Sequence, residues 1–147
     1  FSPGGRTLYV SAELSSELLV YEYDPAKGSL HILQQVSTLP NSFRGENTTS
    51  EVAVHPSGRF VYVANRGHDS IAVFITDPAR TLLPGGFFTS GGHFPRHFAI
   101  DPSGQWLLAA NQKSGNIVAF SIEQEYGELE PAGSEIAVPA PVCIRFV

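Results

Sequence analysis

The sequence predicts an all-β protein assembled from repeated antiparallel sheets, and three observations carry that prediction. First, a phrase recurs. Ser2-Pro3-Gly4-Gly5-Arg6-Thr7-Leu8-Tyr9-Val10 returns as His55-Pro56-Ser57-Gly58-Arg59-Phe60-Val61-Tyr62-Val63, and again as Asp101-Pro102-Ser103-Gly104-Gln105-Trp106-Leu107-Leu108-Ala109. Second, the glycines Gly5, Gly58 and Gly104 stand 53 and 46 residues apart. Third, the intervening segments are short β-branched and aromatic runs bounded by turn residues, and no window carries a helical period. A strand-built repeat of about 40–50 residues is the signature of a propeller blade. The expected architecture is a β-propeller, present as about three four-stranded blades of a ring of about seven.

The second repeat parses most clearly. After the turn at Pro56-Ser57-Gly58 comes the run Arg59–Ala64, then a polar turn over Asn65–Asp69. Ser70–Thr76 is the next run, Asp77–Arg80 the next turn, and Leu82–Thr89 a weaker strand. Gly91-Gly92 then leads to His97–Asp101, which opens the third repeat. That repeat matches the second at an offset of 46, pairing Asn65 with Asn111, Ile71 with Ile117 and Phe74 with Phe120. Pro95, Phe98 and Ile100 pair with Pro141, Ile144 and Phe146, so Val142–Val147 is predicted as the first strand of a further blade. The blade pieces are therefore 1–49, 50–94 and 95–140, followed by that strand at 141–147.

No strand precedes Ser2-Pro3-Gly4, so the chain is expected to be the C-terminal piece of a longer protein, or a processed chain. A complete seven-bladed ring implies about 320 residues. The missing blades, or further copies of this chain, are the expected partners that close the ring. The first repeat is longer by seven residues, which fall near Pro40–Thr49. This stretch is either a tolerated surface insertion or a rim loop that shapes a pocket.

Of the 147 residues, 42% are hydrophobic and 16% charged, an ordinary globular composition that argues against disorder. No apolar run approaches the ~18 residues of a spanning helix. The net charge of −5 and the lack of a basic tract exclude nucleic acid as a natural partner. The single Cys143 excludes an internal disulfide, and nothing resembles a zinc site. No metal and no cofactor is expected, and the expected compartment is the cytoplasm.

In an antiparallel meander, successive turns alternate between the two ends of the sheet. With strands a to d counted from centre to rim, the Pro-Ser-Gly turns lie at one end. The b–c turn Asn65–Asp69 and the d–a connections carrying Ser50-Glu51 and Pro95-Arg96-His97 lie at the other, with the insertion that holds Arg44. Glu51, His97 and Cys143 are equivalent in the repeat; so are Ser50, Arg96 and Val142, and so are Glu13, Arg66 and Gln112. The framework stays constant while these side chains change from blade to blade. An asymmetric ligand site around a central funnel needs that pattern, and drift on a solvated surface also produces it.

One end thus gathers Glu51 and His97 as candidate catalytic residues, with Arg66, Arg96 and Arg44 as candidate substrate-binding residues. Arginine forks match carboxylate and phosphate oxygens. Glu or His takes a proton from water or gives one to a leaving oxygen, and arginine stabilises a developing oxyanion. The set suits an anionic small molecule undergoing hydrolysis or proton-coupled ring chemistry. The plain alternatives are an ion pair for Glu51, a backbone hydrogen bond at a strand start for His97, and a turn-ordering role for His55. His93 lies in a Gly-Gly-His-Phe-Pro loop and is not expected in the site, His31 is expected on the surface, and Cys143 is expected to be a small buried residue. No Gly-x-Ser-x-Gly elbow is present.

The stretch from Ser50 to Phe74, with its Asn65-Arg66-Gly67-His68-Asp69-Ser70-Ile71 string, resembles the lactonase family of seven-bladed propellers. So do Pro95-Arg96-His97-Phe98, Asn111-Gln112-Lys113-Ser114-Gly115-Asn116 and the terminal Pro139-Ala140-Pro141-Val142-Cys143-Ile144. The resemblance implies a metal-independent lactone hydrolase acting on an acidic sugar lactone, in the manner of 6-phosphogluconolactonases. It implies as an alternative a lactonising enzyme similar to carboxy-cis,cis-muconate cyclases. It also implies that Glu51, Arg66 and Arg96 belong to the polar pocket, and that further pocket residues, a catalytic histidine among them, reside in upstream blades. A non-catalytic propeller that binds a ligand or a protein, or an inactive fragment, is the reading from another class.

Overall fold

A computed structural model describes residues 1–147 as eleven strands and no helix. The strands are β1 (Thr7–Ala12), β2 (Glu17–Asp24), β3 (Ser29–Ser37), β4 (Thr48–Val54), β5 (Phe60–Arg66), β6 (Ser70–Thr76), β7 (Leu82–Thr89), β8 (Pro95–Ile100), β9 (Trp106–Asn111), β10 (Asn116–Ile122) and β11 (Leu129–Ala137). They form three antiparallel meanders ordered β1-β2-β3, β4-β5-β6-β7 and β8-β9-β10-β11. The first sheet has three strands and the other two have four each. Residues 141–147, expected to open a further blade, take no ladder partner in this chain. They run beside β8, to which Ile144 N–H donates a hydrogen bond at His97 Nδ1, 3.3 Å.

The middle sheet is buried on both faces, which explains its unbroken apolar reading. Alternate side chains of a strand point to opposite faces. Phe60, Tyr62 and Ala64 of β5, with Ile71 and Val73 of β6, pack against Phe98, Leu107, Ala109, Phe120, Ile122 and Leu129 of the third sheet. Val61, Val63, Ala72, Phe74 and Leu82 pack against Tyr9, Leu18 and Val20 of the first. A strand covered on both faces needs a continuous hydrophobic run instead of an alternating one. Each large side chain buried this way contributes about 1.5–3 kcal/mol.

The recurring phrase is a recurring turn. Gly5, Gly58 and Gly104 take φ of 66°, 75° and 72°, the left-handed region that glycine enters without strain. His55 ties one such turn to the next. Its ring is buried, with Nδ1 2.7 Å from Ser57 Oγ and Nε2 2.8 Å from the Gly104 carbonyl oxygen. The turn-ordering role is the one the structure supports. At the opposite end the b–c turns repeat as well, with positive φ at Ser16, Asp69 and Gly115.

Candidate functional site

The inner strands carry a local irregularity where the candidate residues sit. In β4, Thr49 faces Asn65 and Val52 faces Val63, so Ser50 and Glu51 share one place opposite Ala64. In β8 the register slips between Pro95 and His97, which sets Arg96 outside the pairing. These are β-bulges, which re-aim side chains at the rims of sheets. They bring Glu51 and His97 together across the blade boundary, Oε2 to Nε2 at 3.2 Å. His97 Nδ1 accepts the Ile144 N–H, so the neutral ring carries its proton on Nε2 and gives it to Glu51. Both ring nitrogens are engaged. Burial pushes the His97 pKa below its ordinary value, Arg145 and Arg96 push the same way, and Glu51 opposes them.

Arg66, at the end of β5, is almost wholly buried, with 9% of its side chain exposed. Its Nη2 donates to Glu13 Oε1 at 2.5 Å and to the Thr49 carbonyl at 2.7 Å. The guanidinium lies 5.2 Å from the centre of the Phe94 ring, and Lys113 Nζ lies 4.1 Å from the same ring. Arg66, Phe94 and Lys113 line a polar cavity of about 570 Å³. The pair Glu51 and His97 line a separate groove along β8 with Arg145.

The long first connection builds one wall of the cavity through Glu46, Asn47 and Thr48. Asn47 fixes this wall: its Nδ2 donates to Ser16 Oγ and Asn65 Oδ1, and its Oδ1 accepts the His68 N–H at 3.0 Å. Phe43 packs edge-on against His68 at 4.9 Å. Gly67, with φ 125°, lies directly beneath; a Cβ there would come 2.2 Å from the Glu46 carbonyl oxygen. The turn is glycine because the loop rests on it.

The floor of the cavity is organised by Asp69. Its Oδ1 accepts the N–H of Phe94 at 2.8 Å, and its Oδ2 lies 2.8 Å from His93 Nδ1. Partial burial raises the Asp69 pKa, but the hydrogen bonds from His93, Phe94 and Gly67 outweigh it and leave the carboxyl below its ordinary value.

Of the expected site residues, then, the structure joins Glu51 to His97 and places Arg66 in the neighbouring cavity. Arg96 is exposed beside His97. Arg44 turns back on its own loop, where Nη1 donates to the carbonyls of Asn41 and Phe43 at 2.7 Å each, and it lines neither cavity. Cys143, expected to be buried, is exposed, because nothing in this chain lies over the segment beside β8. Glu13, Asp69, Phe94 and Lys113 were not singled out as site residues from the sequence. The signal for Glu13 is its repeat equivalence to Arg66, which proves to be its partner, and the signal for Asp69 is its place in the b–c turn at this end of the sheets.

Comparisons with known proteins identify the family and the fold. Residues 1–146 match the family model described as lactonase, 7-bladed beta-propeller. The chain is 40% identical to the 6-phosphogluconolactonase of Bacillus subtilis over 148 residues, all of this chain and 42% of that protein. It is 32% identical to the 6-phosphogluconolactonase of Pectobacterium carotovorum, again over all of this chain and 44% of the relative. Among solved structures, the periplasmic gluconolactonase of Pseudomonas aeruginosa superposes with a TM-score of 0.94 at 32% identity, covering all of this chain and 41% of that one. A Lactobacillus plantarum protein superposes with a TM-score of 0.96 at 30% identity, covering this chain fully and 43% of its own. The chain thus spans about two fifths of the length of the relatives it matches.

Proposed function

Because the chain belongs to the seven-bladed β-propeller lactonase family, we propose that the full-length protein hydrolyses an acidic sugar lactone, with 6-phosphogluconolactone as the expected substrate. One observation carries the choice of an anionic substrate. Two cations on successive blades, Arg66 and Lys113, flank the ring of Phe94 in a single polar cavity. A phosphate entering that cavity would meet the Lys113 ammonium and the Arg66 guanidinium, the latter shared with Glu13, while the carboxylates of Glu46 and Asp69 on the same lining orient it toward these two cations. Glu51 with His97 forms a carboxylate–imidazole pair on the neighbouring inner strands. Hydrolysis is taken to occur in the cytoplasm, although the Pseudomonas relative is periplasmic by name.

The test is the opening of 6-phosphogluconolactone by the purified full-length protein, followed against its spontaneous opening in buffer. The expected result is a clear excess rate, with KM raised roughly tenfold by Lys113→Ala for the phosphorylated lactone, as loss of one charge-assisted contact implies. The unphosphorylated lactone should be nearly indifferent to that change. No excess rate overturns the proposal, and loss of carboxymuconate absorbance in its place assigns the protein to the cyclase branch.

A further inference from the structure

The cavity holds a histidine prepared for proton transfer, and it is not the one in the Glu51–His97 pair. We propose that His93 is the general base of the lactone hydrolysis, with Asp69 as its positioning residue. The inference rests on the lactonase reading given above.

His93 and His97 differ in what remains free. His97 uses both ring nitrogens, Nε2 on Glu51 and Nδ1 on the Ile144 N–H, so accepting a proton from water costs it an existing hydrogen bond. His93 uses only one. Asp69 Oδ2 holds Nδ1 at 2.8 Å, which puts the ring proton on Nδ1 and leaves the basic lone pair of Nε2 without a protein partner. The ring is 75% exposed and lines the cavity that Lys113 and Arg66 also line. A carboxylate on one nitrogen and an open second nitrogen is the arrangement that orients an imidazole for general-base work.

The backbone supports the same assignment. His93 N–H donates to Ser114 Oγ at 2.9 Å, and the His93 carbonyl accepts the Lys113 N–H at 3.1 Å. The next residue, Phe94, is held by Asp69 Oδ1 at φ 64°. Its repeat equivalent, Ala140, has φ 47°, so the repeat geometry asks for this backbone and accepts a methyl side chain. A bulky residue in the left-handed region is costly. The phenyl ring at position 94 is explained by its place between the two cations, not by the turn. Asp69 therefore fixes both the base and the ring that orders the cationic wall.

The step balances as follows. His93 Nε2 takes a proton from water as the water oxygen bonds to the lactone carbonyl carbon, and the carbonyl π pair moves to the carbonyl oxygen. The tetrahedral species collapses, the carbonyl re-forms and the ring C–O bond breaks. The ring oxygen takes the proton back from Nε2, which restores the neutral imidazole and yields the hydroxy acid.

The test compares H93Q, D69N and E51Q in the full-length protein with 6-phosphogluconolactone. H93Q should lower kcat by about 100-fold or more, the usual contribution of a general base, with KM changed less than about threefold. D69N should lower kcat by a smaller factor. In ¹⁵N spectra of the imidazoles, D69N should also remove the Nδ1–H tautomer of His93, a signature that a purely structural role for Asp69 does not move. Because the His93 ring is exposed, H93Q should melt with the wild type. Retention by H93Q of more than half the wild-type kcat overturns the assignment, as does a larger loss in E51Q than in H93Q. A wild-type protein without lactonase activity overturns the functional reading itself, and the assignment with it.

Discussion

Glu51 and His97 hold the same place in successive repeats, and they touch: Oε2 of one lies 3.2 Å from Nε2 of the other. The relationship is a consequence of the architecture, because equivalent positions near a propeller axis are neighbours. Arg66 and its equivalent Glu13 meet in the same way. Divergence between repeats therefore sets a base beside an acid without any change in the framework.

Burial of the His97 ring, against the opposing pull of Glu51, makes stability depend on pH with a definite sign. Burial holds the His97 pKa below its ordinary 6.5. The unfolded chain then binds more protons than the folded one between the lowered value and 6.5, so stability rises with pH through that window and levels off above it. Thermal midpoints measured from about pH 5 to pH 8, the range in which histidines titrate, should fall toward acid in the wild type. H97Q should flatten that slope, and an unchanged slope would show that other groups govern it.

Gly67→Ala should move the rim loop. The new Cβ meets the Glu46 carbonyl oxygen, and φ 125° strains any L side chain. The expected cost is about 2–3 kcal/mol in urea unfolding, in the range of overpacking with backbone strain. Because Glu46 and Asn47 wall the cavity, KM for the lactone should rise while Glu51 and His97 stay in place. A variant with wild-type stability and KM would mean that the loop does not rest on the turn.

Asn65 and Asn111 occupy equivalent buried positions but are not equally satisfied. Asn65 Oδ1 accepts from Thr38 Oγ1 and Asn47 Nδ2, and its Nδ2 donates to the Thr38 carbonyl. Asn111 Nδ2 donates to the Ser90 carbonyl, while its Oδ1 has no partner in the protein. Asn65→Ala should thus destabilise by about 1–2 kcal/mol more than Asn111→Ala, one or two hydrogen bonds apart. Equal urea midpoints for the two variants would contradict this ledger of partners.

Much of the fold is legible in the primary structure because its punctuation repeats. The Pro-x-Gly phrase marks positive φ at Gly5, Gly58 and Gly104, and the bounds of β6 and β7 fall where the apolar runs begin and end. The convergence of Arg66 with the loop before β4 follows from the alternation of turns. The bulges at Ser50-Glu51 and Arg96 were not legible, since a bulge is a mismatch between two strands and neither strand alone contains it. The same limit hid the fate of Arg44, whose guanidinium satisfies the carbonyls of its own loop. It also hid the roles of Asp69 and Phe94, which depend on a turn in one blade meeting a connection from the next.

The rim loop grips the body of the protein mainly through one amide, Asn47, and one aromatic ring, Phe43. No sheet depends on its length. It behaves like an interchangeable visor: a shorter or longer segment that keeps the asparagine, and the glycine it overhangs, resizes the opening while every blade keeps its packing.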